Sequence, residues 1–288
     1  MKNIKLPNIF IFDIDNCIIG NIKYQIIEYE FLELIKTNCE SKDINKECLK
    51  KINFVKNLKQ GLLRPYFKEF IKFIKKKYKN VEIYVYTNST YTWTHNGLVS
   101  NIEKASNIKF NKPYFTRENS NMDMSKSLLN VYKIIINKLK YKYPKLKEKN
   151  NILEVLNNRL IFIDNIRDNL ADYPNKQLTC PDYNYTKPYN IISKLKRKYN
   201  IKNKILKDLK IENFIKKTIE IPYIEKKKVN KKNKINKKIK WNYIKMIDTN
   251  VKKDTFFLKL IKIMKKKDNK LNIENIKDFN TKFLVNNN

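Results

Sequence analysis

Glycine is almost missing from this chain of 288 residues: Gly20, Gly61 and Gly97 are all there are. A phosphate-cradling P-loop or a dinucleotide-binding loop needs several glycines within a few positions, so neither can be built. The kinase half of a bifunctional polynucleotide kinase-phosphatase is excluded with them. Histidine occurs once, as His95, which leaves almost no room for a Ser-His-Asp triad or a multi-histidine metal centre. Lying beside Trp93 and Thr94, His95 reads as a packed or substrate-rim residue. The cysteines Cys17, Cys39, Cys48 and Cys180 show no CxxC spacing and fit neither a zinc site nor a disulfide framework. Cys17 and Cys180 lie in apolar segments and read as buried free thiols, which suggests an intracellular protein. No apolar run reaches membrane-spanning length, and the N-terminal apolar stretch carries Asp13 and Asp15. A soluble protein with no export signal, in the cytoplasm or nucleus, is expected. Whatever chemistry the chain performs falls to carboxylates.

Positive charge is abundant. The formal net charge is +35, yet only five of the 63 basic residues are arginine: Arg64, Arg117, Arg159, Arg167 and Arg197. Lysine, asparagine and isoleucine enriched together are also what an AT-rich genome produces. The charge is uneven: residues 201–288 hold 26 Lys against 9 Asp and Glu, about twice the net density of residues 1–200. Whatever its origin, such a surface attracts polyanions.

Ile9-Phe10-Ile11-Phe12 is an apolar run of strand length that stops at Asp13-Ile14-Asp15. Side chains alternate along a strand, so the two carboxylates leave on the same side at its C-terminal end, where open α/β sheets place their ligands. Val81–Tyr86 reads as a second strand ending at Thr87-Asn88. Leu160–Ile163 reads as a third, ending at Asp164-Asn165 with Asp168 just beyond. Between them Lys126 precedes the helical pattern Leu128, Val131, Tyr132, Ile135, Leu139. That places it in the first turn of a helix, where a cation is disfavoured unless an anion lies close. Carboxylates and a hydroxyl at strand ends, with a lysine at a helix start, can bind Mg²⁺ and a phosphate together.

In these four motifs and their order, over about residues 7 to 185, the chain resembles the haloacid dehalogenase (HAD) superfamily. Leu63-Arg64-Pro65, Phe67, Glu69-Phe70, Tyr86-Thr87-Asn88-Ser89 and Asp164-Asn165 make it most similar to the small C-terminal-domain phosphatase and NLI-interacting-factor-like branch. Such Lys-, Asn- and Ile-rich versions also look like proteins of large DNA viruses. Cys17 departs from the family's Thr or Val, Ile166-Arg167 from its Ser-Pro, and Lys126 to Asp164 is long and lysine-rich, implying an inserted helix or loop. The resemblance implies a Mg²⁺-dependent phosphatase working through an aspartyl-phosphate. Asp13 is the implied nucleophile and Asp15 the acid and base. Thr87, backbone near Asn88, and Lys126 hold the phosphoryl oxygens. Asp13, the Asp15 carbonyl, Asp164 and Asn165 ligate the metal, with Asp168 a rival for the place of Asn165. A phosphoserine or phosphothreonine protein is the expected substrate. A polynucleotide 3′-phosphatase and an inactive polyanion-binding scaffold are the alternatives.

The expected fold is α/β: a Rossmann-like core with a parallel sheet over residues 1–200, carrying a small cap at 21–61. Within that cap, Tyr24–Ile35 is a candidate helix and Asn38–Lys46 a polar loop. Pro65 is expected to open an amphipathic helix with Phe67, Phe70, Ile71, Ile74 and Tyr78 on one face. Trp93–Ala105 reads as helical, Ile108–Thr116 as extended, and Gln177–Cys180 as a strand stopped by Pro181. Residues 201–288 form a basic extension, helical or disordered. Its Lys226–Lys234 run is a solvated linker, a localisation signal or a nucleic-acid contact. The pattern Phe256, Phe257, Leu260, Ile261, Met264 makes a short helix packing on the core or on a partner. Every motif precedes Asn200, so a chain ending there is expected to keep generic activity. Oligomeric state is not legible.

Overall fold

The computed structural model describes residues 5–20, 54–183, 185, 254–266, 276 and 280. Tyr24–Ile35, Asn38–Lys46, Cys39, Cys48 and Lys226–Lys234 lie outside the described residues.

Four strands form one parallel sheet: β1 (Asn8–Phe12), β2 (Val81–Val85), β3 (Leu160–Asp164) and β4 (Gln177–Thr179), in the order β2-β1-β3-β4. The runs NIFIF and LIFID are buried at every position. Near-continuous apolarity of this kind marks strands covered on both faces, as a parallel sheet requires. Alternation then divides them. Phe10 and Phe12 join Ile83, Val85, Ile161, Ile163 and Leu178 on one face, while Ile9 and Ile11 join Tyr84, Tyr86, Leu160 and Phe162 on the other.

The first face is covered by α1 (Phe67–Lys77) and α2 (Val99–Ser106). Phe67, Phe70, Ile71 and Ile74 recur at helical spacing and are the buried face of α1, whose lysines stay outside. Pro65 lies outside this helix: Tyr66 precedes it in the left-handed region at φ 62°. Phe12 meets Phe67 edge-on at 5.4 Å and Phe70 at 6.2 Å, within the separations that aromatic pairs favour. The stretch 108–116 forms no strand, although Phe115 bridges to Tyr86.

The opposite face is covered by α3 (Leu128–Lys142) and α4 (Lys149–Asn158), which account for the long segment before Asp164. Ser127 caps α3 by accepting the Asn130 N–H. Asp172 accepts the Leu128 and Leu129 N–H groups at 2.9 and 2.8 Å and the Ser127 hydroxyl at 2.8 Å. The anion at this helix start is therefore a carboxylate of the chain itself. Lys126 stands just before the helix and not in its first turn. Its backbone is tied as a short parallel bridge, donating to the Asn169 carbonyl and accepting from Ala171 N–H.

A further helix, α5 (Phe256–Lys266), packs on the α1 side of the sheet. Phe256, Phe257, Leu260, Ile261 and Met264 are all buried there, and Phe257 lies 5.3 Å from both Phe67 and Phe70. Of the two packing surfaces expected for this helix, the core is the one observed. Among the described residues no helix is long and apolar enough to cross a membrane.

Candidate active site

Three strands end side by side, and their register decides which side chains meet. Phe12 pairs with Val85 on one side and Ile163 on the other, so Asp13, Tyr86 and Asp164 follow as a row. Asp13 N–H donates to the Ile163 carbonyl at 2.8 Å, and Tyr86 N–H to that of Phe12 at 2.9 Å. Asp13 and Asp164 thus continue the Ile11 and Phe162 side of their strands, toward α3.

Lys126 reaches them from in front of α3. Its ammonium is 2.5 Å from Asp13 Oδ1 and 2.8 Å from Asp164 Oδ2, with all three side chains buried. The rings of Phe162 and Tyr86 lie 5.2 and 5.6 Å from Nζ and add the attraction of their faces. Asp164 is fixed further by the Asn169 amide at 2.9 Å on Oδ2 and the Ile166 N–H at 2.8 Å on Oδ1. Burial works against the Lys126 charge, but Asp13 and then Asp164 outweigh it and hold the amine protonated above its ordinary range. Burial pushes the Asp13 carboxyl up to about 8, with Lys126 opposing and the Asp164 and Asp15 charges adding. Two buried carboxylates sharing one ammonium leave a negative charge in the core. That is an incentive to take up a proton or a cation.

Asp15 has a different environment. Thr87 and Ser89 hydroxyls donate to its Oδ2 at 3.3 and 3.2 Å, while Oδ1 is buried without a hydrogen-bond partner. Burial raises this carboxyl, and the Ser89 hydroxyl, Lys126 and Thr87 oppose the rise. One oxygen is held and the other has no partner in the protein.

Asn88 is drawn into the rim: its amide donates to the Met124 carbonyl at 2.8 Å, its Oδ1 accepts from the Ser120 hydroxyl at 2.9 Å, and its carbonyl accepts from Arg117 Nε at 2.9 Å. Asn165 is half-buried and donates to Asp182 at 2.9 Å. Asp168 is not brought into the cluster. It is 74% exposed, lies 3.4 Å from the adjacent Arg167, and has a φ of 55°. Asp13, Asp15, Thr87, Lys126 and Asp164 therefore converge, with Asn88 and Asn165 at the edge.

Sequence reasoning assigned no role to Ser89, Asn169, Asp172 or Asp182. Ser89 follows Thr87 by two, the spacing that returns a side chain to the same side, and Asp182 lies just past β4 as Asp164 ends β3. No spacing rule points to Asn169. His95 stacks on Tyr91 at 3.9 Å and lies 5.1 Å from Tyr114, the packed setting of the two that its sequence context allowed. Cys17 and Cys180 are buried free thiols, 3.6 Å apart beneath the Asp13 turn.

Among the described residues no group of three or more His, Cys, Asp or Glu is arranged to hold a metal ion. The donors are nevertheless of the right kind: oxygen alone, as a hard cation such as Mg²⁺ takes, in a buried carboxylate pair whose full ionisation a further cation would favour.

No protein-family model matches the chain, and no curated protein matches it. Among solved structures, a fission yeast RNA polymerase II CTD phosphatase, Fcp1, bound to beryllium fluoride, is similar at 12% identity and a TM-score of 0.32, over 94% of this chain and 69% of that one. A second structure of Fcp1, an essential RNA polymerase II CTD phosphatase, is similar at 11% identity and a TM-score of 0.31, with the same coverage.

Proposed function

We propose that the chain is a phosphatase of the HAD type, hydrolysing a phosphate monoester through an aspartyl-phosphate on Asp13. The observation that carries this reading is the pair of unlike carboxylates at one strand end. Asp13 is bonded to a cation, while Asp15 is held by two hydroxyls on one oxygen and free on the other. Two carboxyls in distinct environments can divide nucleophile from acid.

Asp13 attacks phosphorus as the bond to the leaving oxygen breaks, and the free oxygen of Asp15 delivers a proton to that oxygen. A water then attacks the acyl phosphate, Asp15 takes its proton, and phosphate leaves with Asp13 restored. Lys126 stabilises charge on the phosphoryl oxygens and lowers the cost of ionising Asp13. Thr87 and Ser89 keep Asp15 turned toward the leaving group. Asp13, the Asp15 carbonyl, Asp164 and Asn165 would hold Mg²⁺, which when bound supplies positive charge to the phosphoryl group and to the ionised Asp13. The motif resemblance to the C-terminal-domain phosphatase branch favours phosphoserine or phosphothreonine in a protein as substrate.

The test is a screen of purified protein against an aryl phosphate, a phosphopeptide and a 3′-phosphorylated oligonucleotide, with Mg²⁺ and with chelator. Mg²⁺-dependent release of phosphate from the first two is expected. Turnover of the oligonucleotide alone would replace the protein substrate with a nucleic-acid end, and no turnover of any would remove the enzymatic reading.

A further inference from the structure

Arg64 is a full positive charge that is 1% exposed, and its contacts join parts of the chain remote in sequence. Its backbone N–H donates to the Ile18 carbonyl at 2.9 Å, and Nη1 donates to the Cys17 carbonyl at 3.1 Å. Nε and Nη2 grip both oxygens of Asp254 at 3.1 and 2.8 Å. The guanidinium lies over Phe256 at 4.8 Å and near Tyr183 at 5.4 Å. Asp254 also accepts the Phe256 N–H at 3.2 Å, at the start of α5.

The other end of this arrangement is the turn that leaves β1. Cys17, Ile18 and Ile19 N–H groups all point back to the Ile14 carbonyl, coiling the turn directly after Asp13 and Asp15. The Cys17 carbonyl faces outward from that coil, and Arg64 takes it. A buried ion pair adds little net stability over apolar residues of the same volume, because desolvation offsets the attraction. A planar guanidinium adds direction: with two nitrogens fixed on one carboxylate, the third is aimed at one place, which a lysine cannot reproduce.

We propose that Asp254 and Arg64 are positioning residues for the active site: the helix start of α5 aims the guanidinium, and the guanidinium sets the turn that carries Asp13 and Asp15. The functional half of this rests on the phosphatase reading above. It makes a residue far along the chain, after the lysine-rich stretch, part of the apparatus that orients the catalytic carboxylates.

The experiment compares Asp254→Asn with Phe257→Leu in the full chain. Phe257 lies in the same helix and is fully buried; its ring packs on Phe12, Phe67 and Phe70 and lies 5.8 Å from the Arg64 guanidinium without taking part in its hydrogen bonds. Both variants lower the melting temperature, so it serves as the control for stability. With para-nitrophenyl phosphate, Asp254→Asn is expected to lower kcat about tenfold, the loss of one charge-assisted hydrogen bond, with KM within about twofold. Phe257→Leu should leave both within about twofold. Hydrogen exchange gives a reading independent of activity: amides 17–20 should exchange about tenfold faster in Asp254→Asn and not in Phe257→Leu. Unchanged exchange at those amides, or kcat falling equally in both variants, overturns the proposal. Should the parent chain hydrolyse no phosphate ester, the phosphatase reading falls while exchange still decides whether the clamp holds the turn. If Asp254→Asn does not fold, Asp254→Glu, which keeps the charge but displaces it by a methylene, takes its place with the same expected signs.

Discussion

Replacing Lys126 by methionine isolates the charge at the centre of the site, because the side chain keeps its length and apolar bulk while the ammonium goes. In the parent, that ammonium lies 2.5 and 2.8 Å from two buried carboxylates. Removing one partner of such an arrangement leaves uncompensated charge and costs about 3–5 kcal/mol. In a domain of this size each kcal/mol moves the melting temperature by about 2–4 °C, so a fall on the order of 10 °C is expected near neutral pH. The loss must depend on pH. Asp13 and Asp15 both have folded values above the unfolded 3.8, Asp13 at about 8. The folded chain therefore binds more protons than the unfolded chain between about pH 4 and 8, and stability falls as pH rises through that window. The Lys126 shift lies in the alkaline range and is silent there. Without its ammonium, Asp13 holds its proton more tightly still. Both folded chains keep the Asp13 proton up to about pH 8, so the gap between them should be nearly constant from about pH 5 to 7 and widen at about pH 9, where the parent gives that proton up and the variant does not. Mg²⁺ should recover more stability in the variant than in the parent, since it supplies the missing charge. Scanning calorimetry at about pH 6 and at about pH 9, with and without Mg²⁺, reads all of this. An equal gap at both pH values would refute charge as the cause, and no gap at all would refute the shared ion pair.

Asp13→Asn should lower aryl-phosphate hydrolysis by on the order of 10³-fold or more with the fold intact by circular dichroism, because an amide cannot form the acyl phosphate. Activity at parental level would take the nucleophile's role from Asp13. Ser89→Ala removes one of two hydroxyls on Asp15 and should cost about tenfold in kcat with KM little changed, measured by steady-state kinetics. Asn165→Ala should raise the Mg²⁺ requirement more than Asp168→Ala, whose side chain is on the surface beside Arg167; the reverse order in Mg²⁺ titrations would move the ligand to Asp168. A chain ending before Asp254 loses six buried apolar side chains from the core, Ile276 among them. At about 1.5–3 kcal/mol each, that is on the order of 10 kcal/mol, comparable to a domain's whole stability. Such a chain should not melt cooperatively, against the expectation that all it needs precedes Asn200.

The sheet was legible because its strands are buried on both faces. NIFIF, VEIYV and LIFID announce themselves without help from context, and the carboxylates at their ends follow from alternation. Lys126 was legible as a site residue but not in its setting. The helical pattern begins at Leu128, and nothing local says that Asp172 occupies the helix start or that Lys126 pairs as a short strand with residues 169–171. The segment 108–116, read as extended, bonds to β2 and its end at Ile83, Val85 and Thr87 without completing a strand. The place of Asp168 was suggested by its number alone, while the adjacent Asn169 is the residue that meets Asp164. Arg64 stood out only within a motif, since its partner Asp254 opens a helix expected to pack on the core or on a partner, with nothing local to say which residue it would meet.

The strand order has a consequence for synthesis. β1 is the first of the four strands to be made, yet it occupies the interior of the sheet, between β2 and β3. Its most apolar residues wait for Val81 to arrive on one side and Leu160 on the other, and Phe12 waits for Phe257 as well. Contacts of such sequence separation form slowly because a long loop must close before any gain is made. Until β2 has been made, the segment Ile9-Phe10-Ile11-Phe12 is an unpaired strand with both faces bare, the kind of surface that invites aggregation. The chain should therefore depend on chaperones while it is made, and the lysines spread along it keep neighbouring nascent chains apart in the meantime.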